Sequence, residues 1–219
     1  MLKNPDVIKR IRRGDCLNYE KFDEQYNIDT GHPRRLADDN SGDLRPGFIM
    51  NSKPIEGSNA YEASALEYLD MVNAELSKDP EIGNYTFIDI GSGKGKVIFY
   101  NLIQNSPYKD YIGIEADDFF NNIALNNLKT FNMPITKDVK FLEMNGLDYE
   151  AEEKDCVYYF YLPFYPEIFH KFMEKNWETI KKTNSYFVFL FEDTYDFQRY
   201  LGKKPIYDFA ELVIYSLKD

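Results

Sequence analysis

At 219 residues, with hydrophobic residues at 43% and charged ones at 29%, the chain has the length of one ordinary domain or two small ones and enough apolar content for a full core. These proportions exclude wholesale disorder, collagen-like repetition and a disulfide scaffold. The formal charge of −11 repels phosphate backbones and anionic membranes, so nucleic acid is a poor default partner and no membrane partner is expected.

The charge is uneven. Residues 1–48 hold nine basic and nine acidic side chains, which places the whole deficit in residues 49–219. Lys9, Arg10, Arg12 and Arg13 with Arg34 and Arg35 read as solvated surface charge, with an anion-facing patch as the sharper alternative. Cys16 and Cys156 have no metal-type spacing and read as reduced thiols. No run approaches the ~18 apolar residues of a membrane span. A soluble, cytoplasmic protein is expected, with no metal.

In chain order, residues 1–58 are polar and rich in turn signals, including Asp29-Thr-Gly31, Asn40-Ser-Gly42 and Arg45-Pro-Gly47, and predict short helices joined by loops. This appendage must pack on, or fold over, the domain of residues 59–219. From Ala60 to Leu76 apolar residues recur every three or four positions, predicting an amphipathic helix over Asn59–Leu76 capped by Ser58 or Asn59. Tyr85–Ile90 reads as a buried parallel strand closed by Gly91. Then follow a helix over Gly95–Asn105, a strand over Tyr111–Glu115, a helix over Asp118–Phe131 and a strand over Val139–Glu143. Cys156–Leu162, Tyr165–Lys181, Ser185–Phe191 and Leu212–Leu217 continue as strand, helix, strand, strand. Strands alternating with helices predict an α/β fold: a Rossmann-like, doubly wound, mostly parallel sheet with helices on both faces. Ligands of such a sheet bind at the carboxyl ends of its strands.

Asp89-Ile-Gly91-Ser92-Gly93-Lys94-Gly95 lies between a predicted strand and a predicted helix. Alternate glycines let the backbone turn tightly and approach a ligand, with helix-start N–H groups facing it. The spacing is not that of a nucleotide-triphosphatase phosphate loop, and Lys96 replaces the last glycine of a dinucleotide fingerprint. A carboxylate beside the loop would repel a pyrophosphate but receive a cation.

The acid followed by Gly-x-Gly-x-Gly resembles motif I of the class I S-adenosylmethionine-dependent methyltransferases. The resemblance covers about residues 59–217. It implies S-adenosylmethionine as cofactor, held by Asp89, Gly91, Ser92, Gly93 and Gly95, with Glu115 accepting from the ribose hydroxyls. It also implies that Asn145 and Gly146 meet the adenine, with a turn at Asn-Gly as the plain alternative, and that Tyr61 closes on the cofactor, with an ordinary helix-start tyrosine as the alternative. Where related amino-methylating enzymes carry Asn/Asp-Pro-Pro-Tyr, this chain has Tyr161-Leu162-Pro163-Phe164. Leu162 has no acceptor to orient an amine, so adenine and glutamine methylation are disfavoured, yet the four residues suit the wall of an acceptor site. Tyr161 and His32 are the candidate catalytic groups. Tyr158 and Tyr159 read as core, His170 as packed or surface, and Asp117 and Asp118 as solvated charge and helix-start residues. A local similarity to the non-SET histone-lysine methyltransferases and related small bacterial proteins runs through Asp89–Val97 and Gly113–Glu115.

The implied activity is methyl transfer to a small molecule or protein side chain. A nicotinamide oxidoreductase on the same sheet, and a catalytically idle cofactor-binding module, are the alternatives.

Overall fold

The computed structural model of the chain describes residues 17–31, 55, 57, 61, 63–191 and 195–218. His32, Cys16, the whole basic cluster and the proposed caps Ser58 and Asn59 lie outside the described residues.

Seven strands form one sheet: β1 (Thr86–Ile90), β2 (Asp110–Glu115), β3 (Val139–Glu143), β4 (Cys156–Tyr161), β5 (Tyr186–Leu190), β6 (Tyr207–Phe209) and β7 (Leu212–Ser216), in the order β3-β2-β1-β4-β5-β7-β6. The first five strands run parallel and β7 is antiparallel to both its neighbours. The chain leaves β1 in one direction and returns to β4 on its other side, so the strand order reverses between them and a crevice opens at their carboxyl ends.

The described helices are α1 (Leu17–Tyr26), α2 (Leu66–Leu76), α3 (Lys96–Ile103), α4 (Asp118–Thr130), α5 (Pro166–Ile180) and the single turn α6 (Gln198–Leu201). Alternation along the strands divides the aromatic residues between two cores. Phe87 and Tyr159 face α2 and α3, with Phe22 and Ile28 of the N-terminal segment in the same cluster. Tyr158, Phe160, Phe187 and Phe189 face Phe169, Phe172 and Met173 of α5. Each fully buried ring contributes about 1.5–3 kcal/mol by leaving water. The aromatic abundance is therefore largely core, as for Tyr158 and Tyr159.

One predicted boundary moves. The helix expected from Asn59 begins at Leu66, with Ala65 at its N-cap in extended conformation. The Tyr159 hydroxyl donates to Ser64 Oγ across the core at 2.9 Å, which anchors residue 64 to the sheet just before the helix begins. α6 and β6 were not anticipated: both are too short to show a periodicity. No helix among the described residues is long and apolar enough to cross a membrane.

Candidate functional site

Strand register brings the sequence-predicted residues to one edge. Asp89 lies opposite Gly113 and Tyr159, Glu115 ends β2 opposite Glu143, and Tyr161 ends β4 opposite Leu190. The turn after β4 touches the turns after β1 and β3. A Cβ on Gly91 would lie 2.5 Å from Pro163 Cβ, and one on Gly146 would lie 2.9 Å from the Phe164 ring. Gly91 and Gly93 have φ of +78° and +52°, left-handed values that cost a side-chain-bearing residue roughly 1–2 kcal/mol. At Gly93 the obstacle to a Cβ is the ring of Tyr61, which lies directly over it.

The glycine loop does not present its N–H groups as expected. Those of Gly91 and Ser92 both donate to the Ile114 carbonyl, at 2.8 and 2.9 Å, and that of Gly95 donates to the Ser92 carbonyl at 2.8 Å. The Gly93 N–H donates to Glu115 Oε2 at 2.8 Å. The other carboxylate oxygen of Glu115 accepts from the Asp117 N–H at 2.7 Å. A loop that spends these four donors on its own scaffold offers little to an anion.

Among the described residues, two buried polar atoms of the glycine loop and the strand before it have no hydrogen-bond partner: Asp89 Oδ2 and Ser92 Oγ. They are close neighbours, because Ser92 Oγ would lie 2.7 Å from a Cβ on Gly113, the residue paired with Asp89. Burial, and after it the Glu115 charge, pushes the Asp89 carboxyl up to about 8. Burial also raises Glu115, against the lowering effect of its N–H donors. An orphaned buried oxygen in a native fold calls for an explanation, and a partner from outside the chain is one. A carboxylate and a hydroxyl suit a donor-bearing cation, so the residues present fit the ammonium end of S-adenosylmethionine.

The Tyr61 ring is tilted 31° to that of Phe120 with centroids 5.0 Å apart, and its hydroxyl donates to the Thr30 carbonyl at 2.7 Å. Burial first, then the carboxylates of Asp23, Asp29, Asp89 and Glu115, hold this phenol well above its usual range. It is therefore a neutral donor. Asn145 adopts the turn read as the alternative to adenine contact, its side-chain oxygen accepting from the Leu147 N–H at 2.9 Å. Asp117 is the N-cap of α4, as a helix-start residue should be, but it is fully buried rather than solvated. His170 packs on α5 with Nδ1 2.9 Å from the Tyr200 hydroxyl.

At the other half of the edge the lining is apolar. Tyr161 and Phe191 stack at 6.0 Å with planes 20° apart, and Leu162 and Phe191 have φ of +44° and +65°. Left-handed backbone at a leucine and a phenylalanine is strain, and strain of this kind gathers at binding sites. Phe191 was not singled out in the sequence because it reads as one more apolar position at the end of a strand. Nor was Lys94, whose Nζ pairs with Asp29 Oδ1 at 2.7 Å. A lysine inside a glycine loop flanked by a carboxylate has no phosphate to hold, and that was the available signal.

No protein-family model matches the chain, and no curated protein does. Among solved structures it is similar to an S-adenosylmethionine-dependent methyltransferase of Leishmania major, with 14% identity, 68% of this chain and 70% of that one covered, and a TM-score of 0.50. It is also similar to M. capricolum TrmK in complex with S-adenosylhomocysteine, with 18% identity, 66% and 67% covered and a TM-score of 0.44. A third is the plantazolicin methyltransferase BpumL in complex with the same product, at 17% identity and a TM-score of 0.43; the match covers 58% of this chain and spans 48% of that one, about half its length. The chain has the Rossmann-like fold of the class I S-adenosylmethionine-dependent methyltransferases.

Proposed function

We propose that the protein is an S-adenosylmethionine-dependent methyltransferase acting on a small molecule or a protein side chain. The observation that carries this reading is the chemistry of the β1–β2 edge: loop donors spent on β2 and on the loop itself, a buried Asp89 beside a half-buried Glu115, and an Asp89 oxygen without a partner. A pyrophosphate would meet carboxylates where it needs N–H groups, so a nicotinamide dinucleotide is the weaker occupant. The excess of acidic residues disfavours a nucleic-acid acceptor.

S-adenosylmethionine supplies, when bound, an electrophilic methyl group on a sulfonium. Asp89 and Ser92 would hold its ammonium end, Glu115 its ribose hydroxyls, and the Asn145–Gly146 turn its adenine, with Gly91, Gly93 and Gly95 shaping the loop. Tyr61, lying over Gly93, would exclude water from this end. Tyr161, Leu162, Pro163 and Phe164 would wall the acceptor site, and the Tyr161–Phe191 ring pair would orient a flat or apolar acceptor. In-line transfer demands alignment and dryness more than any particular base. Tyr161 is the described candidate to hold a proton there, and His32 the other.

Thermal denaturation with each cofactor tests the reading. A ligand at 100 times its dissociation constant adds about 2.7 kcal/mol, and S-adenosylmethionine and S-adenosylhomocysteine are expected to stabilise the protein where NADH does not. Incubation of cell extracts with labelled S-adenosylmethionine, followed by mass spectrometry, identifies the acceptor. Cofactor binding without any labelled product would favour an idle module.

A further inference from the structure

Lys94 stands in the middle of the glycine loop, yet its side chain is only 4% exposed and its ammonium leaves the loop altogether. Nζ pairs with Asp29 Oδ1 at 2.7 Å and donates to the Gly31 carbonyl at 2.9 Å. Asn127 of α4 binds the same segment twice, accepting from the Asp29 N–H and donating to the Asp29 carbonyl, both at 2.8 Å, and it also donates to the Lys94 carbonyl at 3.1 Å. Asp23 of α1 holds the segment's shape: its carboxylate accepts from the Thr30 and Gly31 N–H groups at 2.7 and 2.6 Å and from the Thr30 hydroxyl at 2.6 Å. The Thr30 carbonyl in turn holds the hydroxyl of Tyr61.

These contacts form one chain of connection, from the glycine loop through Lys94 to Asp29–Gly31, and from Thr30 back through Tyr61 to the face of Gly93. We propose that Lys94 is a positioning residue that latches residues 29–31 over the glycine loop, so that this strap and Tyr61 together form the door for cofactor exchange. The proposal rests on the reading that the loop binds S-adenosylmethionine.

Three features favour a latch over a static brace. The Asp29 side chain is 64% exposed, so on opening its charge passes to water at little cost, whereas a pair buried on both sides would resist parting. Residues 29–31 are held by hydrogen bonds and one ion pair, and although Thr30 is fully buried, Asp29 and Gly31 on either side of it reach the surface, where local opening begins. Tyr61 covers the very glycine beside which a cofactor would lie, so entry requires the ring to move, and its bond to Thr30 couples that movement to the strap.

The test is the dissociation rate of S-adenosylhomocysteine, measured by stopped flow on the full-length protein. Lys94→Met keeps the buried stem, removes the cation and strands no charge, because Asp29 is already solvated. It is expected to release S-adenosylhomocysteine at least tenfold faster. Raising the salt concentration is expected to speed release from the wild type but not from the variant, a response that a purely structural lysine would not give. Hydrogen exchange at the Thr30 and Gly31 amides is expected to slow on ligand binding in the wild type and to slow less in Lys94→Met. A folded variant with wild-type release rate and salt response would overturn the latch. If Lys94→Met does not fold, Asp29→Asn on the exposed side of the pair decides in the same way: faster release supports the latch and an unchanged rate overturns it. Failure of the wild type to bind S-adenosylhomocysteine at all would instead defeat the functional reading beneath it.

Discussion

The two halves of the sheet's carboxyl edge are built from opposite materials. After β1 and β2 the residues are small and polar, Asp89 and Asp117 are buried with Glu115 half-buried between them, and the N–H groups of Gly91, Ser92, Gly93 and Gly95 all have partners within the scaffold. After β4 and β5 the residues are large and apolar, and two of them hold left-handed backbone. On the proposed reading the first half receives a charged ligand of fixed shape, and the second is a hydrophobic wall whose occupant is set by contour. Changes in the first half should therefore act on cofactor affinity, and changes in the second on acceptor turnover.

The largest expected effect falls in the first half. Glu115→Ala removes the acceptor for the Gly93 and Asp117 N–H groups as well as the proposed ribose contact. At about 1.5–3 kcal/mol for each bond to a charged group, S-adenosylmethionine and S-adenosylhomocysteine should both weaken on the order of a hundredfold, as read by calorimetry. Wild-type affinity in that variant would remove Glu115 from the site.

Next comes Gly93→Ala, where the left-handed backbone and the overlying Tyr61 ring both object. A loss of roughly 1–2 kcal/mol in stability is expected, with about tenfold weaker cofactor binding because Tyr61 must shift. The alternate glycines read as room for a ligand to approach; the obstacle to a Cβ at Gly93 is the protein's own tyrosine. An equal loss in a Gly93→Ala/Tyr61→Ala double variant would show that the ring is not the reason.

Asp89 sharpens the comparison through pH. Its folded-state pKa lies far above the usual carboxylate value, so its contribution to the stability of the free protein is full at low pH and declines as pH rises from the ordinary carboxylate range through about 8. A bound cation favours the charged form, so affinity for S-adenosylmethionine should climb from pH 6 to 7.5, by up to about tenfold per unit. Asp89→Asn should flatten both profiles while raising the melting temperature near pH 8. A variant that keeps the wild-type pH slope would assign the titration to another group.

The smallest effect on cofactor affinity is expected from Phe191→Ala. Once the acceptor is known, its KM should rise several-fold, while S-adenosylhomocysteine affinity stays within about twofold. The reverse pattern would erase the distinction between the two halves.

What the sequence disclosed follows the same division. The parallel strands, the glycine loop and the strand-end Glu115 were legible because each is a local pattern: a short apolar run closed by glycine, or an acid at a strand's end. The start of α2 at Leu66 was not, since Ser64 is tied to Tyr159, a residue 95 positions away that no local periodicity reports. Nor was the strap, whose bonds join residues 29–31 to Lys94 and Asn127 across 63 to 98 positions. The turn Asp29-Thr-Gly31 was visible as a turn, and its place over the loop was not. Phe191 was hidden by its surroundings, one aromatic among many in a chain with 17 Phe and 18 Tyr.

The central claim is that the β1–β2 edge receives a cation-bearing nucleoside and rejects a pyrophosphate. Calorimetric titration of the full-length protein with S-adenosylmethionine and with NADH, under identical conditions, tests it most directly. Saturable binding of S-adenosylmethionine with no detectable heat from NADH is the predicted result; binding of NADH that S-adenosylmethionine does not displace would contradict it.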